Sequence, residues 1–96
     1  MAQVEKINAG QYKITGDLDF STVTALLTQL HTLLGSDLEM TVDLSSLGRS
    51  NSAGLALLME LKGDAKRLNR KITFVGIPQL LLDLASMSNV AEILEG

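Results

Sequence analysis

The sequence predicts an α/β fold, with a central mostly parallel or mixed sheet of about four strands, three main helices and an N-terminal hairpin. Short runs of β-branched and aromatic residues alternate along the chain with longer segments in which leucine recurs every three or four positions. This alternation is typical of parallel strands joined by crossover helices. The 96 residues and 46% hydrophobic content suffice for one modest core, so a single domain is expected over residues 1–96.

The first third of the chain predicts a hairpin followed by a helix. Residues 4–15 contain two extended candidates separated by a turn at 9–10, and Gly16 is expected to end the second strand. Asp19 or Ser21 is expected to cap the helix that follows. The apolar residues of this helix recur at spacings of three and four, which indicates one buried face: Val23, Leu26, Leu27, Leu30, Leu33 and Leu34.

The remaining two thirds predict two strands and two helices. In chain order we expect a buried strand at 40–44, a polar loop at 45–51, a second helix at 52–68, a strand within 71–77 and a third helix at 78–87. Pro78 suits the first turn of the third helix, where the missing N–H leaves no hydrogen bond unmade. Residues 88–96 are expected to add a short helical turn or an edge strand.

Composition excludes several classes of protein. The net charge of −3 and the isoelectric point near 4.9 argue against a nucleic-acid surface, which needs clustered Lys and Arg. Without cysteine there is no disulfide framework, thiolate zinc site or cysteine nucleophile. The opening "MAQVEKINAG" is unlike a signal peptide, and no apolar run approaches the ~18 residues of a membrane span. We therefore expect a cytoplasmic domain that meets a membrane only through a partner.

Three stretches in this order resemble the STAS domain family, to which the bacterial anti-sigma factor antagonists belong. "GDLDFST" resembles the turn before the first helix of that family. "VDLSSLGRSNSAGLALL" resembles its signature of a strand, a loop, a serine or threonine, and Gly-Leu opening the second helix. "ITFVGIPQLLLDLASMSNVAEIL" is similar to the last strand and helix. The resemblance covers nearly the whole chain and implies a STAS-type α/β fold.

Within the family, "AGLALLMEL" and "LAS" resemble the small STAS subunit of the Mla-type phospholipid transporters of Gram-negative envelopes. This resemblance implies a non-enzymatic accessory subunit, peripheral at the inner membrane, that binds the ATPase subunit of an ABC transporter. Such a transporter moves phospholipid and maintains the lipid asymmetry of the outer membrane. The alternative that the family offers is an anti-sigma factor antagonist, regulated when an anti-sigma kinase phosphorylates Ser52.

The segment "RSNSAGLAL" contains the predicted partner-binding site. On a helical wheel the core face comprises Gly54, Leu57, Leu58, Leu61, Ala65 and Leu68. A second stripe begins at Ser52 and contains Leu55, Met59, Lys62 and Lys66, and these residues together with Asn51 form the predicted partner-binding set. We expect Leu55 and Met59 to lie near solvent, as apolar groups of a partner surface with a lysine rim. Isolated exposed apolar residues are also common, and in isolation the stripe could form a homodimer.

Ser52 could be a cap, a contact or a switch. Ser50, Asn51 and Ser52 are all good helix caps, so capping alone is one interpretation. The start of the helix could also accept a partner's carboxylate. Phosphorylation of Ser52 would add ~1.5 to 2 negative charges there. Sigma-regulatory members commonly have aspartate where this chain has Asn51, and this departure favours a contact over a phosphoswitch.

The other polar residues predict structural roles. Asp17 and Asp19 are typical of cap and dipole residues before a helix, and not of a catalytic carboxylate pair. Asp43 is expected to fix the loop after its strand, and Gly54 to have a structural role. His31 lacks the neighbours that a metal ligand needs, and Ser52 lacks a nearby base. We therefore predict no catalytic set, metal or cofactor.

The remaining basic segment, "RLNRK", predicts a solvated turn. Its positive charge could instead meet acidic lipid headgroups or an acidic patch on a partner.

Overall fold

The computed structural model describes residues 2–95, with side chains described as far as Leu94. It confirms the predicted α/β fold and the N-terminal hairpin. The strands are β1 (Gln3–Asn8), β2 (Gln11–Leu18), β3 (Glu39–Asp43), β4 (Leu47–Ser50) and β5 (Lys71–Val75). The helices are α1 (Val23–Leu34), α2 (Ser52–Arg67), α3 (Gln79–Met87) and α4 (Ala91–Glu95).

The sheet has the strand order β1-β2-β3-β5, and β4 pairs with β2. The hairpin β1–β2 is antiparallel, while β2–β3, β2–β4 and β3–β5 are parallel. β3 pairs with the first half of β2 and β4 with its last residues. Burial alternates along β2, β3 and β5, because one face of the sheet packs against the helices and the other remains open.

Helix α2 is the central element of the helical layer. It packs against α1, α3, α4 and strand β5. Its inward residues and those of the sheet share one core, whose largest fully buried members are Ile14, Leu18, Leu26, Leu30, Leu34, Met40, Leu44, Leu58, Leu61, Leu81, Leu94 and Val42. Because α2 has neighbours on three sides, more of its circumference is buried than a surface helix needs.

Two predictions in the strand region were wrong. Gly16 does not end β2, which continues to Leu18 with Gly16 at a φ of 90°. This left-handed conformation is open to glycine, and the pairing with β4 shifts register at the same place. Residues 47–50 form β4, although the sequence predicted a loop there. Its four residues, "LGRS", include one large apolar side chain, so only the pairing with β2 identifies the strand.

Helix boundaries also differ from the predictions in detail. Thr22 is the N-cap of α1, where Asp19 or Ser21 was expected. Asp19 instead accepts hydrogen bonds at Oδ1 from the backbone N–H of Ser21, at 2.8 Å, and from its hydroxyl, at 2.6 Å. These hydrogen bonds stabilise the ionised carboxylate and hold the pKa of Asp19 below its ordinary value, and the bond from the Ser21 hydroxyl has the larger effect. Pro78 is the N-cap of α3 and not its first helical residue. The final segment forms the short helix α4, which confirms the helical turn and not the edge strand of the two predicted alternatives.

Candidate partner-binding site

The ends of β2 and β4 meet the beginnings of α1 and α2 at one edge of the molecule. The Asn51 N–H donates to the carbonyl of Leu18 at 3.3 Å, which joins the start of α2 to the end of β2. Asp17 Oδ1 accepts from the Arg49 N–H at 2.7 Å, and the hydroxyl of Thr22 donates to the carbonyl of Asp17 at 2.9 Å. Asp17 thus connects the loop before α1 to β4 and positions the surface around Ser52.

Asn51, and not Ser52, caps α2. The side-chain oxygen of Asn51 accepts a hydrogen bond from the Ala53 N–H at 2.8 Å. The backbone carbonyl of Asn51 accepts from the Gly54 N–H at 2.9 Å. Ser52 is the first helical residue and is exposed, and its hydroxyl makes no hydrogen bond to any residue in the described range. In the same range, the buried Ser50 Oγ has no hydrogen-bond partner. The Ser52 hydroxyl is therefore free to contact another molecule.

The expectation that Leu55 lies near solvent was wrong. Leu55 is only 8% exposed and belongs to the core. It lies at one margin of the buried arc of α2, a helix that packs against α1, α3, α4 and β5. Conversely, Leu68 was assigned to the core face but is the C-cap of α2 and 42% exposed. Leu55 therefore cannot contact a partner without leaving the core.

The rest of the predicted stripe divides between the two ends of α2. Met59 is half-buried and packs against the core. Lys62 is also half-buried, and its Nζ donates to the carbonyl of Ile72 at 2.8 Å. Lys66 is exposed in the last turn, far from Ser52. Asn51 and Ser52 therefore lie together at the start of α2, whereas Lys62 and Lys66 lie toward its other end.

The exposed stripe that begins at Ser52 continues through Ala56 and Glu60. Beside it, α1 and α2 border an apolar groove of about 310 Å³, whose lining includes Ala53, Ala56, Leu57, Glu60, Val23, Thr24, Leu27 and Phe20. Phe20, in the loop before α1, is 77% exposed at the rim of this groove. An exposed aromatic ring beside an apolar groove is a usual feature of a protein-binding surface.

Sequence reasoning missed Phe20, although a signal for it exists. It lies in "GDLDFST" between Asp19 and Ser21, where turn and cap residues are normal and a large aromatic side chain has no local role. The chain has only two phenylalanines, and Phe74 is in the core. The exposure of Phe20 could not be predicted from hydrophobic periodicity, because a single residue before a helix belongs to no repeating pattern.

Other predicted residues occupy structural positions. Asp43 Oδ1 accepts from the Ser45 N–H at 2.8 Å, and hydrogen bonds from the side chain and backbone of Ser45 lower the pKa of Asp43. Gly54 lies within α2, and a Cβ there would be 3.1 Å from Leu18 Cβ. Its missing side chain allows α2 to approach β2 closely. His31 Nδ1 is 3.1 Å from Asp64 Oδ2, which joins α1 to α2.

Neither a metal-ligand cluster nor a membrane-spanning helix is found among the described residues. Between residues 2 and 95, no three His, Cys, Asp or Glu side chains converge as a metal site. No helix in that range has both the length and the apolar character to cross a bilayer. The arrangement around Ser52 comprises an exposed hydroxyl, the start of a helix and an apolar groove.

Comparison with solved structures supports the same fold. The unphosphorylated anti-sigma factor antagonist SpoIIAA superposes with a TM-score of 0.73 at 14% identity, covering 96% of this chain and 84% of that one. The phosphorylated form of SpoIIAA, a Bacillus cell fate determinant, gives 0.73 at 14%, covering 96% and 86%. An anti-sigma factor antagonist from Mycobacterium paratuberculosis gives 0.71 at 15%, covering 96% and 80%.

Sequence comparison identifies the family. No curated protein matches the chain. A family model described as "Mlab, STAS domain" matches residues 1–95. Since this match spans nearly every position, and since the fold agrees with solved STAS-type antagonists, the chain belongs to the STAS domain family.

Proposed function

We propose that this protein is a non-enzymatic cytoplasmic accessory subunit that binds the ATPase subunit of an inner-membrane ABC transporter for phospholipid. In this role it stabilises or licenses the ATPase and so supports the lipid asymmetry of the outer membrane. The Mlab description of the matching family model supports the transporter reading. The observation that carries the docking site is the free Ser52 hydroxyl beside the groove rimmed by Phe20.

The geometry of this surface suits a helical or loop segment of a partner. Phe20 and the groove between α1 and α2 supply apolar area, which provides most of the affinity in a small interface. Ser52 supplies a hydroxyl for a polar contact, and the first turn of α2 supplies a partial positive charge that favours a partner's carboxylate. Asn51 contributes by holding the helix start in place rather than by touching the partner.

Regulation as an anti-sigma factor antagonist is the second candidate. The free hydroxyl of Ser52 is accessible to a kinase, and the similar SpoIIAA structures include a phosphorylated form. A phosphate on Ser52 would be tolerated by the helix start, whose dipole favours negative charge. It would also repel a partner carboxylate, so one modification could release the partner.

Co-purification of native complexes tests the proposal. The tagged protein is purified from its own host as wild type, as Ala56→Arg and as Ala25→Arg. Ala56 lines the groove, whereas Ala25 is an exposed alanine of α1 outside the groove lining, so the two variants add the same side chain. We expect a P-loop ATPase with wild type and Ala25→Arg, and at least a tenfold loss with Ala56→Arg.

Two outcomes distinguish the alternatives. Recovery of a sigma-regulatory kinase, together with the added mass of one phosphate on Ser52 in cells, would replace the transporter assignment by the antagonist assignment. Undiminished ATPase recovery with both Ala56→Arg and Ser52→Arg would refute the docking surface.

A further inference from the structure

The carboxyl end of α2 gathers most of the positive charge of an acidic protein. Five of the eight Lys and Arg residues fall between positions 62 and 71: Lys62, Lys66, Arg67, Arg70 and Lys71. All but Arg67 line a groove of about 270 Å³ between the end of α2 and the start of β5. Asn69 also lines it, so amide and cationic donors surround the same space.

The protein itself leaves the charge of this groove unbalanced. Arg67 pairs with Asp64, which also contacts His31. Across residues 2–94, the four groove cations form no ion pair with a carboxylate. Burial of Lys62, and secondly the charge of Lys71, lower the pKa of Lys62 below its ordinary value. Lys62 and Lys71 therefore repel each other, and an anion between them would relieve that repulsion.

Two of the cations are held in place. Lys62 Nζ donates to the Ile72 carbonyl at 2.8 Å and lies 5.5 Å from the centre of the Phe74 ring. Arg70 Nη2 donates to the Gly35 carbonyl at 3.3 Å, while its Nε is buried and has no hydrogen-bond partner within the described range. Preorganised donors lose less conformational entropy on binding than free side chains.

The helix terminus does not account for these cations. The Arg70 N–H donates to the Ala65 carbonyl at 2.8 Å and the Asn69 N–H to the Lys66 carbonyl at 3.2 Å. With Asn69 at a φ of 57°, these bonds form a Schellman motif, which satisfies the last carbonyls without side chains. The same turn reverses the chain and brings Arg70 and Lys71 back beside Lys62 and Lys66.

We propose that this groove binds the phosphate group of a small molecule or of a phospholipid headgroup. Lysine supplies point charges, arginine a planar donor set and Asn69 a neutral amide, a combination that suits the several oxygens of a phosphate. Ten residues of α2 separate Ser52 from Lys62, the first helical residue of the groove, which is about 15 Å along the helix. The groove is therefore independent of the proposed docking surface, and both can be occupied together.

Amide NMR of the intact protein tests the site with inorganic phosphate, against sodium chloride at the same ionic strength. We expect saturable shifts confined to residues 62–72. The double variant Lys66→Gln/Lys71→Gln should weaken binding by at least about tenfold, since it removes two cations and one hydrogen bond to a charged group contributes about tenfold. The control Lys6→Gln/Lys13→Gln removes the same charge from the hairpin and should bind like wild type. Lys62 is left intact because its hydrogen bond to β5 is structural.

A vesicle arm separates the two sources of phosphate. Sedimentation is measured with phosphatidylcholine vesicles, with and without about 30% phosphatidylglycerol. Phosphate shifts without sedimentation support a small-molecule phosphate, whereas sedimentation with the anionic vesicles alone, lost in the groove double variant, supports the headgroup. The proposal is overturned if neither probe binds, if the groove variant and the hairpin control lose binding equally, or if poly-glutamate reproduces the shifts while phosphate does not.

Discussion

The two ends of α2 present opposite chemistry to the surroundings. At its start, Ser52 and Ala56 are exposed beside an apolar groove that contains no lysine or arginine. At its end, Lys62 and Lys66 join Arg70 and Lys71 around a polar groove. Between the two ends, Leu57, Leu58 and Leu61 are almost fully buried. One helix thus provides a central core element and two separate surfaces, and each surface can change without the other.

The helix dipole is consistent with this division. The start of a helix has a partial positive charge and favours acidic or phosphorylated groups, whereas its end favours cations. The effect is worth about 0.3–1 kcal/mol at an exposed position. It is too small to account by itself for four cations around one groove.

The largest expected effect separates the core of α2 from its exposed stripe. Arginine introduced at Leu55, which is 8% exposed, must be buried or must unpack the helix. We expect Leu55→Arg to lower the free energy of unfolding by about 2–5 kcal/mol or more. Ala56→Arg adds the same side chain at an exposed position and should change it by less than about 0.5 kcal/mol. Urea denaturation measures both, and similar losses would contradict the burial of Leu55.

A smaller effect distinguishes the cap of α2 from the free hydroxyl beside it. Asn51→Ala removes the hydrogen bond to the Ala53 N–H and should lower the free energy of unfolding by about 0.5–2 kcal/mol. Ser52→Ala should change it by less than about 0.5 kcal/mol, because this hydroxyl has no partner in the described part of the chain. Thermal or urea denaturation gives the comparison. A larger loss with Ser52→Ala would assign the cap to Ser52 instead.

The third prediction concerns the cationic end of α2 and is a change in titration. Burial, followed by the charge of Lys71, lowers the pKa of Lys62 from its ordinary 10.5. Lys71→Gln removes the repulsion but not the burial, so the pKa of Lys62 should rise part of the way back. NMR titration of the lysine side chains measures the shift, with Lys6→Gln as the control of equal charge change. An unchanged pKa would mean that Lys71 does not approach Lys62 in solution.

The same lowered pKa sets the direction of a pH effect on stability. The unfolded chain binds the Lys62 proton more tightly than the folded protein does. The Lys62 contribution to the free energy of unfolding therefore rises with pH between the lowered pKa and about 10.5, and falls again when the pH decreases through that window. Lys71→Gln should narrow the window, which ties the pH effect to the cationic groove.

The resemblance of three ordered motifs to STAS domains predicted the family from the amino-acid sequence alone, and the family-model match confirmed it. The fold class followed from local patterns as well. By contrast, β4 was missed because "LGRS" has no alternating pattern and depends on pairing with β2. The exposure of Leu55 was predicted wrongly because a helical wheel gives angles around a helix but not the neighbours of that helix. Leu55 and Ala56 are adjacent in the sequence, and only the packing of the other elements around α2 buries the first and leaves the second exposed.

What the sequence determined by itself is the order of the strands and helices other than β4, together with Leu57, Leu58 and Leu61 of the inner face of α2, since periodicity and turn chemistry are local properties. It also limited the cap of α2 to a few neighbouring polar residues. Only the tertiary structure decided that Asn51 is the cap, that Phe20 lies exposed beside the groove, and that Lys62 and Lys66 meet Arg70 and Lys71. These outcomes depend on which elements pack together, and burial and charge proximity are properties of that packing rather than of any segment alone.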